Sequence, residues 1–378
     1  MSVTTPSAAA PAKAASENHD ERLRQVSRLK RLLSRPELGS ISGAILVFLF
    51  FAIVAGDSGM FAADGVLNWT TVSAQLGIIG IGACMLMIGG EFDLSIGSMI
   101  GFAGMMIAIP AVYWDWPVWL ALMFAFSGAL AIGFTNGFIV VKTGLPSFIV
   151  SLAFLFILRG LTIALSILFT NRTIVGGVHD RAEGDWLAAA FGGEIGGWLF
   201  AWLANIGLIG TYPNGDPLVS GIPMVIVWWM LLAIVCSWVL MRTKYGNWIF
   251  ATGGDAKAAK NVGVPTDRVK ISLFMFTAFC ATVLAACQVL EFGSAAADRG
   301  LLKEFEAIIA AVIGGALLTG GYGSVVGACF GALIFGVVQM GINFAGFNSD
   351  WFRVFLGAML LVAVLFNNYI RKRVTEAH

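Results

Sequence analysis

From Thr71 to Ile88 the chain reads TVSAQLGIIGIGACMLMI, eighteen residues without a charge. A crossing of the hydrocarbon core by a helix takes about 20 apolar residues, and stretches of this kind recur along the chain. Ten are read here as spans: Ile41–Phe61, Thr71–Ile88, Ser95–Tyr113, Val118–Val141, Ser147–Thr170, Ile222–Met241, Ile271–Leu290, Ala307–Leu318, Ser324–Phe344 and Trp351–Asn367. The eighth is short, so it either extends into its flanks or is broken. Composition agrees: 58% of residues are hydrophobic and 12% charged, where soluble domains carry about 25% charged residues. The expectation is an all-α polytopic membrane protein with about ten transmembrane helices.

Where Lys and Arg fall sets the orientation, because cytoplasmic loops collect them. With an inside N-terminus, seven of the 23 lie between Lys13 and Arg35, one is Lys142, six lie in Arg242–Lys270 and three are Arg371, Lys372 and Arg373. Five fall outside (Arg172, Arg181, Arg299, Lys303 and Arg353), and Arg159 lies within the fifth span. Both termini are therefore expected in the cytoplasm. The divisions are a basic N-terminal tail (1–36), a transmembrane domain (37–370) with an outer loop at 171–221 and a cytoplasmic loop at 242–270, and a C-terminal tail (371–378). Glu21–Arg35 has its leucines at helical spacing among basic residues, the pattern of a helix lying on the membrane surface. A signal peptide is the rival reading of this end; the long tail and the lack of a small-residue cleavage site argue against it. Gly197–Gly210 is apolar but short, and reads as an interfacial or re-entrant piece or as a loop helix packed on the spans.

The loop Arg242–Lys270 carries its own punctuation. Gly253-Gly254 breaks the chain, Asp255 is placed as an N-cap, Ala256–Val262 gives about two turns, Gly263 suits a left-handed C′ position and Pro265 stops the helix. Thr266 or Asp267 is then placed to cap the next span. A helix this short does not stand alone in water. It is held by the flanking spans, by a partner, or is only a positive loop that fixes topology.

Little in the sequence supports catalysis. There is no nucleophile–His pair, no metal-ligand cluster and no phosphate-binding G-x-x-x-x-G-K-[ST], and the five cysteines lie in apolar surroundings as core residues. Two Gly-rich junctions resemble each other: Ile88 to Gly101 and Ile313 to Gly327 both read Ile-Gly-Gly and then Gly-Ser-x-(Ile/Val)-Gly, offset by one residue. They suggest a weak internal repeat, with chance similarity of Gly-rich spans as the rival. In the first, Asp93 is placed to cap a helix from Leu94. Glu91 and Asp93 have no basic neighbour in sequence, so they meet water, a partner or a transport path, or form a hydrated turn. Arg159 is expected to snorkel or bond carbonyls of a neighbouring helix, with a direct substrate role as the rival reading.

These segments together resemble the membrane permease of bacterial ribose/xylose-type ABC importers, from about Leu38 to Arg373. The likeness rests on Gly89-Gly90-Glu91-Phe92-Asp93-Leu94-Ser95-Ile96-Gly97-Ser98, on Lys142–Ser151, on Gly246–Gly263 and on Ala307–Gly327. The family's Gly-Gly-Asn appears here as Gly253-Gly254-Asp255, which keeps the capping chemistry. The resemblance implies a permease of an ATP-driven, binding-protein-dependent sugar importer in the bacterial inner membrane, with no cofactor on this chain. ATP would bind a separate ATPase, a periplasmic sugar-binding protein would deliver a pentose, hexose or polyol, and a second permease copy, identical or not, would complete the path; nucleic acid is not a partner. It further implies ATPase coupling through Gly254, Asp255, Ala256, Lys257, Ala259, Lys260 and Gly263. A path near Glu91, Asp93, Ser95, Ser98, Thr319 and Ser324 is expected. The alternatives are a secondary carrier or facilitator for a small polar solute, and a membrane scaffold.

Overall fold

Prolines and left-handed residues mark the helix boundaries. In the computed structural model, which describes residues 36–359 together with 361 and 365, four long helices begin directly after Pro117, Pro146, Pro223 and Pro265. Proline fixes φ and has no N–H to leave unsatisfied at a helix start. Three of the long helices end on a left-handed residue: Gly144 (φ +68°), Asn171 (φ +54°) and Gly293 (φ +63°). The expected surface helix Glu21–Arg35 and the tails 1–35 and 371–378 lie outside the described residues.

In order, the helices are α1 (Pro36–Val54), α2 (Ala63–Ile88), α3 (Ile96–Tyr113), α4 (Val118–Thr143), α5 (Ser147–Thr170), α6 (Val178–Ala182), α7 (Trp186–Gly192), α8 (Gly197–Asn205), α9 (Met224–Arg242), α10 (Lys244–Gly254), α11 (Ala256–Asn261), α12 (Thr266–Phe292), α13 (Lys303–Ile313) and α14 (Val325–Phe344), followed by helical residues 351–359. Two short antiparallel pairs join the loops. β1 (Ile174–Gly176) pairs with β4 (Ser294–Ala296), and β2 (Glu194–Ile195) with β3 (Ile222–Pro223).

Seven helices among the described residues (α2, α3, α4, α5, α9, α12 and α14) are long and apolar enough to cross a membrane. The chain is a largely helical, multi-pass membrane protein. The other three expected spans are not among these seven. α1 stops at Val54 because Gly56–Ser58 tightens into a 3₁₀ turn ending on left-handed Gly59. α13 has only 11 residues, entered through left-handed Leu302 and closed by Gly314-Gly315. The last is described only in part. α8, with nine residues, is about 14 Å long and cannot cross; Trp198 and Trp202 on it are exposed.

α2, α3 and α12 form the buried centre, while α4, α5 and α9 present broad apolar faces outward. Two apolar solvents, lipid and helix side chains, offer no hydrophobic preference, so close packing has to hold such helices together. On α4, Ala121, Ala125, Ala129, Gly133 and Gly137 recur every fourth residue and are all buried. A Cβ on Gly133 would stand 2.8 Å from the Met275 Cα, and one on Gly137 2.9 Å from the Ile271 Cα. The two backbones thus approach through a groove that only small residues leave open.

Between α12 and α13 the chain runs antiparallel to α3, first as β4 and then as successive turns through 297–302. Ala295 lies beside Gly104, the Ala297 and Arg299 carbonyls beside Gly101, and Gly300 and Glu304 beside Gly97. Arg299 pins this stretch by donating to the Gln288 carbonyl (3.2 Å), to the Ser294 carbonyl and to the Ser294 hydroxyl (3.1 Å). The short α13 then continues beside α2 and α14. Of the two sequence readings of the short eighth segment, the structure has the broken one.

Candidate functional site

Each of the two Gly-rich junctions closes a helix with the same turn. In the first, the N–H groups of Gly89, Gly90 and Glu91 donate to the carbonyls of Met85, Met87 and Leu86 at 3.2, 2.9 and 3.2 Å. In the second, those of Gly314, Gly315 and Ala316 donate to Ala310, Val312 and Ala311 at 2.9, 2.9 and 3.0 Å. Gly90 and Gly315 take matching left-handed angles, φ +85° and +91°. This is the paired closure that satisfies a helix's last carbonyls, and it occurs twice at corresponding residues. At Ile-Gly-Gly the likeness of sequence is a likeness of geometry; at Gly-Ser it is not, because Ser98 lies inside α3 and Ser324 is the N-cap of α14.

The first turn, the loop that follows the second turn and the basic loop meet at one point. Gly321 N–H donates to the Ile88 carbonyl at 2.9 Å. Gly253, near the end of α10, fits against both. A Cβ there would overlap the Ile88 carbonyl oxygen and stand 2.6 Å from the Gly321 nitrogen; one on Gly320 would stand 2.7 Å from the Gly253 oxygen and from the Gly90 Cα. α10 itself was not foreseen from the sequence, where its polar KYGNWIFATGG resembled loop. Its signal was there in Thr243, whose hydroxyl accepts from the Gly246 N–H at 3.1 Å as an N-cap.

α11 is built as the sequence predicts. Asp255 Oδ1 accepts from Lys257 N–H (2.9 Å) and Ala258 N–H (3.0 Å), and left-handed Gly263 (φ +89°) ends the helix. Neither Thr266 nor Asp267 caps α12; Asp267 instead pairs with Lys260 at 3.2 Å. Of the residues expected to couple, Gly254, Asp255, Lys257, Lys260 and Gly263 are exposed and Ala256 half-buried, but Ala259 is turned inward and 4% exposed. The outward apolar residue on this surface is Val262, 81% exposed, which sequence reasoning passed over as part of the C-terminal turn.

The acids of the first junction find partners from distant elements. Glu91 forms an ion pair with Lys270 on the first turn of α12. Asp93, 7% exposed, is bound by neutral groups: Oδ1 accepts from Ser95 N–H (2.8 Å) and Oγ (2.6 Å), Oδ2 from Thr277 Oγ1 (2.6 Å), and Asn136 Nδ2 approaches at 3.5 Å. Hydrogen bonds to a charged acceptor contribute about 1.5–3 kcal/mol each. The helix expected from Leu94 starts at Ile96, because Asp93 spends its oxygen on a local turn over Ser95. Ser98 Oγ and Asn136 Oδ1 are buried there without a partner. Of the remaining path candidates, Ser324 is the N-cap of α14, accepting from Gly327 N–H at 3.4 Å, and Thr319 is exposed. Asp93, Ser95 and Ser98 therefore gather in one place, while Ser324 and Thr319 belong to the second junction. Among the described residues no group of His, Cys, Asp or Glu could hold a metal ion.

Comparison with known sequences places this architecture. The chain is 28% identical over 365 residues to the xylose transport system permease protein of Escherichia coli, covering 88% of this chain and 92% of that one. It is 31% identical over 339 residues to a probable ABC transporter permease protein of Sinorhizobium fredii (90% and 91% covered). It is 28% identical over 328 residues to the ribose import permease protein of Haemophilus influenzae (86% and 92% covered). No solved structure matches. The family described as the branched-chain amino acid transport system permease component matches residues 65–364. A chain of this construction, matched over that length, is a transport component and not an enzyme, and it belongs to that permease family.

Proposed function

We propose that the chain is the membrane permease of an ATP-driven, binding-protein-dependent sugar importer in a bacterial inner membrane. Pentoses are the favoured cargo, since two of the relatives are named for xylose and ribose transport. The observation that carries the reading is the fit of Gly253 between the first repeated turn and Gly320-Gly321 of the second junction. It makes the basic loop a lever: a push on α11 reaches the closed end of α2 and the loop that follows α13 through packed backbone.

In this reading both termini and the α10–α11 loop are cytoplasmic, and α6–α8 lie outside. The chain crosses ten times, α1, the non-helical stretch with α13, and the helix from Trp351 being the crossings beyond the seven long helices. A separate ATPase docks on the exposed face of α11, a periplasmic sugar-binding protein delivers the ligand, and a second permease copy completes the path. ATP is bound by the partner, and this chain carries no cofactor. Asp93, Ser95 and Ser98 supply hydroxyl-bonding groups near the path, which for a neutral sugar needs few polar groups and apolar walls.

The test is reconstitution into vesicles with the ATPase and the binding protein. Uptake of radiolabelled xylose or ribose that requires both partners and ATP supports the importer. Uptake by this chain alone would make it a facilitator or secondary carrier and overturn the proposal.

A further inference from the structure

α13 has 11 residues and is about 16 Å long. Its closing turn leads within a few residues to Gly320-Gly321 beside Gly253, on the side of the basic loop. Its first turn therefore lies about half of a 30 Å hydrocarbon core away from that side. Arg159 on α5 has 12 residues before it in the helix and 11 after it, which puts it about 18 Å from the α5 start. Charges at that depth are costly against lipid and mark water-filled cavities or routes. Non-helical backbone, such as the turns before α13, is tolerated at that depth only where protein covers it or where it borders such a cavity.

Four charged residues meet here: Arg159, Lys303, Glu304 and Glu306. Lys303 and Glu306 form an ion pair whose side chains remain 31% and 14% exposed. Glu304 is 3% exposed; it feels the charges of Arg159 and Glu306, and its Oε2 has no hydrogen-bond partner. That carboxylate fits where Gly97 leaves room, in the first turn of α3. Beside the charges, Leu302 and Phe305 are 47% and 49% exposed. An ion pair partly open among exposed apolar side chains suits neither lipid nor a dry core. It does suit a polyhydroxylated solute, whose hydroxyls need donors and acceptors and whose C–H faces lie against apolar and aromatic groups.

We infer that the solute route passes the break before α13, with Leu302 and Phe305 as its apolar wall and the Lys303–Glu306 pair as its hydroxyl-binding group. The inference rests on the importer reading, since the solute is taken from it. In the assembled complex in vesicles, Leu302→Cys and Phe305→Cys are to be labelled with a membrane-impermeant charged thiol reagent, with Ile234→Cys as the lipid-facing reference. Ile234 is 64% exposed on α9. The native thiols are buried or half-buried, so the parent chain gives the background. Thiolate is the reacting species and hydrocarbon keeps the thiol protonated, so both route positions are expected to label about tenfold faster or more than Ile234→Cys. Xylose at saturating concentration, added with the binding protein and ATP, is expected to slow them. Labelling of both positions at the Ile234→Cys rate would overturn the inference, whether they face lipid or a dry contact between copies. If the complex takes up neither xylose nor ribose, the importer reading fails by itself, and the labelling ratio still reports whether this wall is wet.

Discussion

Replacing Gly253 by alanine adds one methyl group at the point where α10 meets the first repeated turn and Gly320-Gly321. That methyl would stand 2.6 Å from the Gly321 nitrogen and overlap the Ile88 carbonyl oxygen, where ordinary non-bonded carbon contacts begin near about 3.5 Å. Both neighbours are backbone, and the Ile88 carbonyl is already held by the Gly321 N–H. No rotamer change relieves the contact, so α10 must withdraw by about 1 Å, at a cost of about 1–3 kcal/mol for overpacking. α11 keeps its own cap at Asp255, so the docking surface survives and only its connection to the interior loosens. The assay is reconstituted transport with ATP hydrolysis measured in the same vesicles. Hydrolysis is expected to continue while sugar moved per ATP falls; a coupling loss of 1–3 kcal/mol corresponds to about 5- to 150-fold. Gly254→Ala is the control, because a Cβ there meets nothing within 4 Å. If the Gly253→Ala and Gly254→Ala proteins have the same melting temperature and the same transport per ATP, the lever argument is refuted.

Three further outcomes follow from contacts already described. Lys270→Gln leaves the Glu91 carboxylate half-enclosed without its cation, and losing one partner of a buried pair costs about 3–5 kcal/mol; thermal unfolding in detergent should show the Glu91→Gln/Lys270→Gln double variant less destabilised than Lys270→Gln. Val262→Asp is expected to weaken co-purification of the ATPase with normal melting, whereas Ala259→Asp places a carboxylate inside and should lower the melting temperature itself; the reverse pattern would relocate the docking face. Asp93→Asn turns one acceptor into a donor facing Thr277 or Ser95, and an orphaned buried polar group of this kind costs about 1–3 kcal/mol, measured as a lower melting temperature that Asp93→Asn/Thr277→Val partly restores.

Helices written in one uniform apolar stretch were legible because period and length suffice: α2, α4, α5, α9, α12 and α14 lie where hydropathy puts them. The cap at Asp255 and the stop at Gly263 were equally legible, being local chemistry within a few residues. Three features were not. α10 is half polar, so its helix is set by packing against α2 and α12 and by a hydroxyl cap, and period alone does not announce it. The inward turn of Ala259 depends on how α11 lies on α12, a rotation that a six-residue helix does not encode by itself. Glu91 and Lys270 stand 179 positions apart, and no local rule pairs them. Arg159 and Glu304, likewise distant in sequence, come near each other only because the chain is broken before α13.

The repeated turn has one geometry and two kinds of interior. In the first copy Glu91 and Asp93 follow the glycine pair; in the second Ala316 and Leu318 occupy the corresponding positions. When the two halves of the chain part, the first copy exposes carboxylates that gain hydration, while the second exposes Ala316, now fully buried, and gains nothing from water. That hydration is set against the Glu91–Lys270 ion pair and the Thr277–Asp93 hydrogen bond, which parting breaks, and amide hydrogen exchange compared at Glu91 and Ala316 reports which copy opens first. Two ends of near-identical shape thus carry unequal costs of exposure.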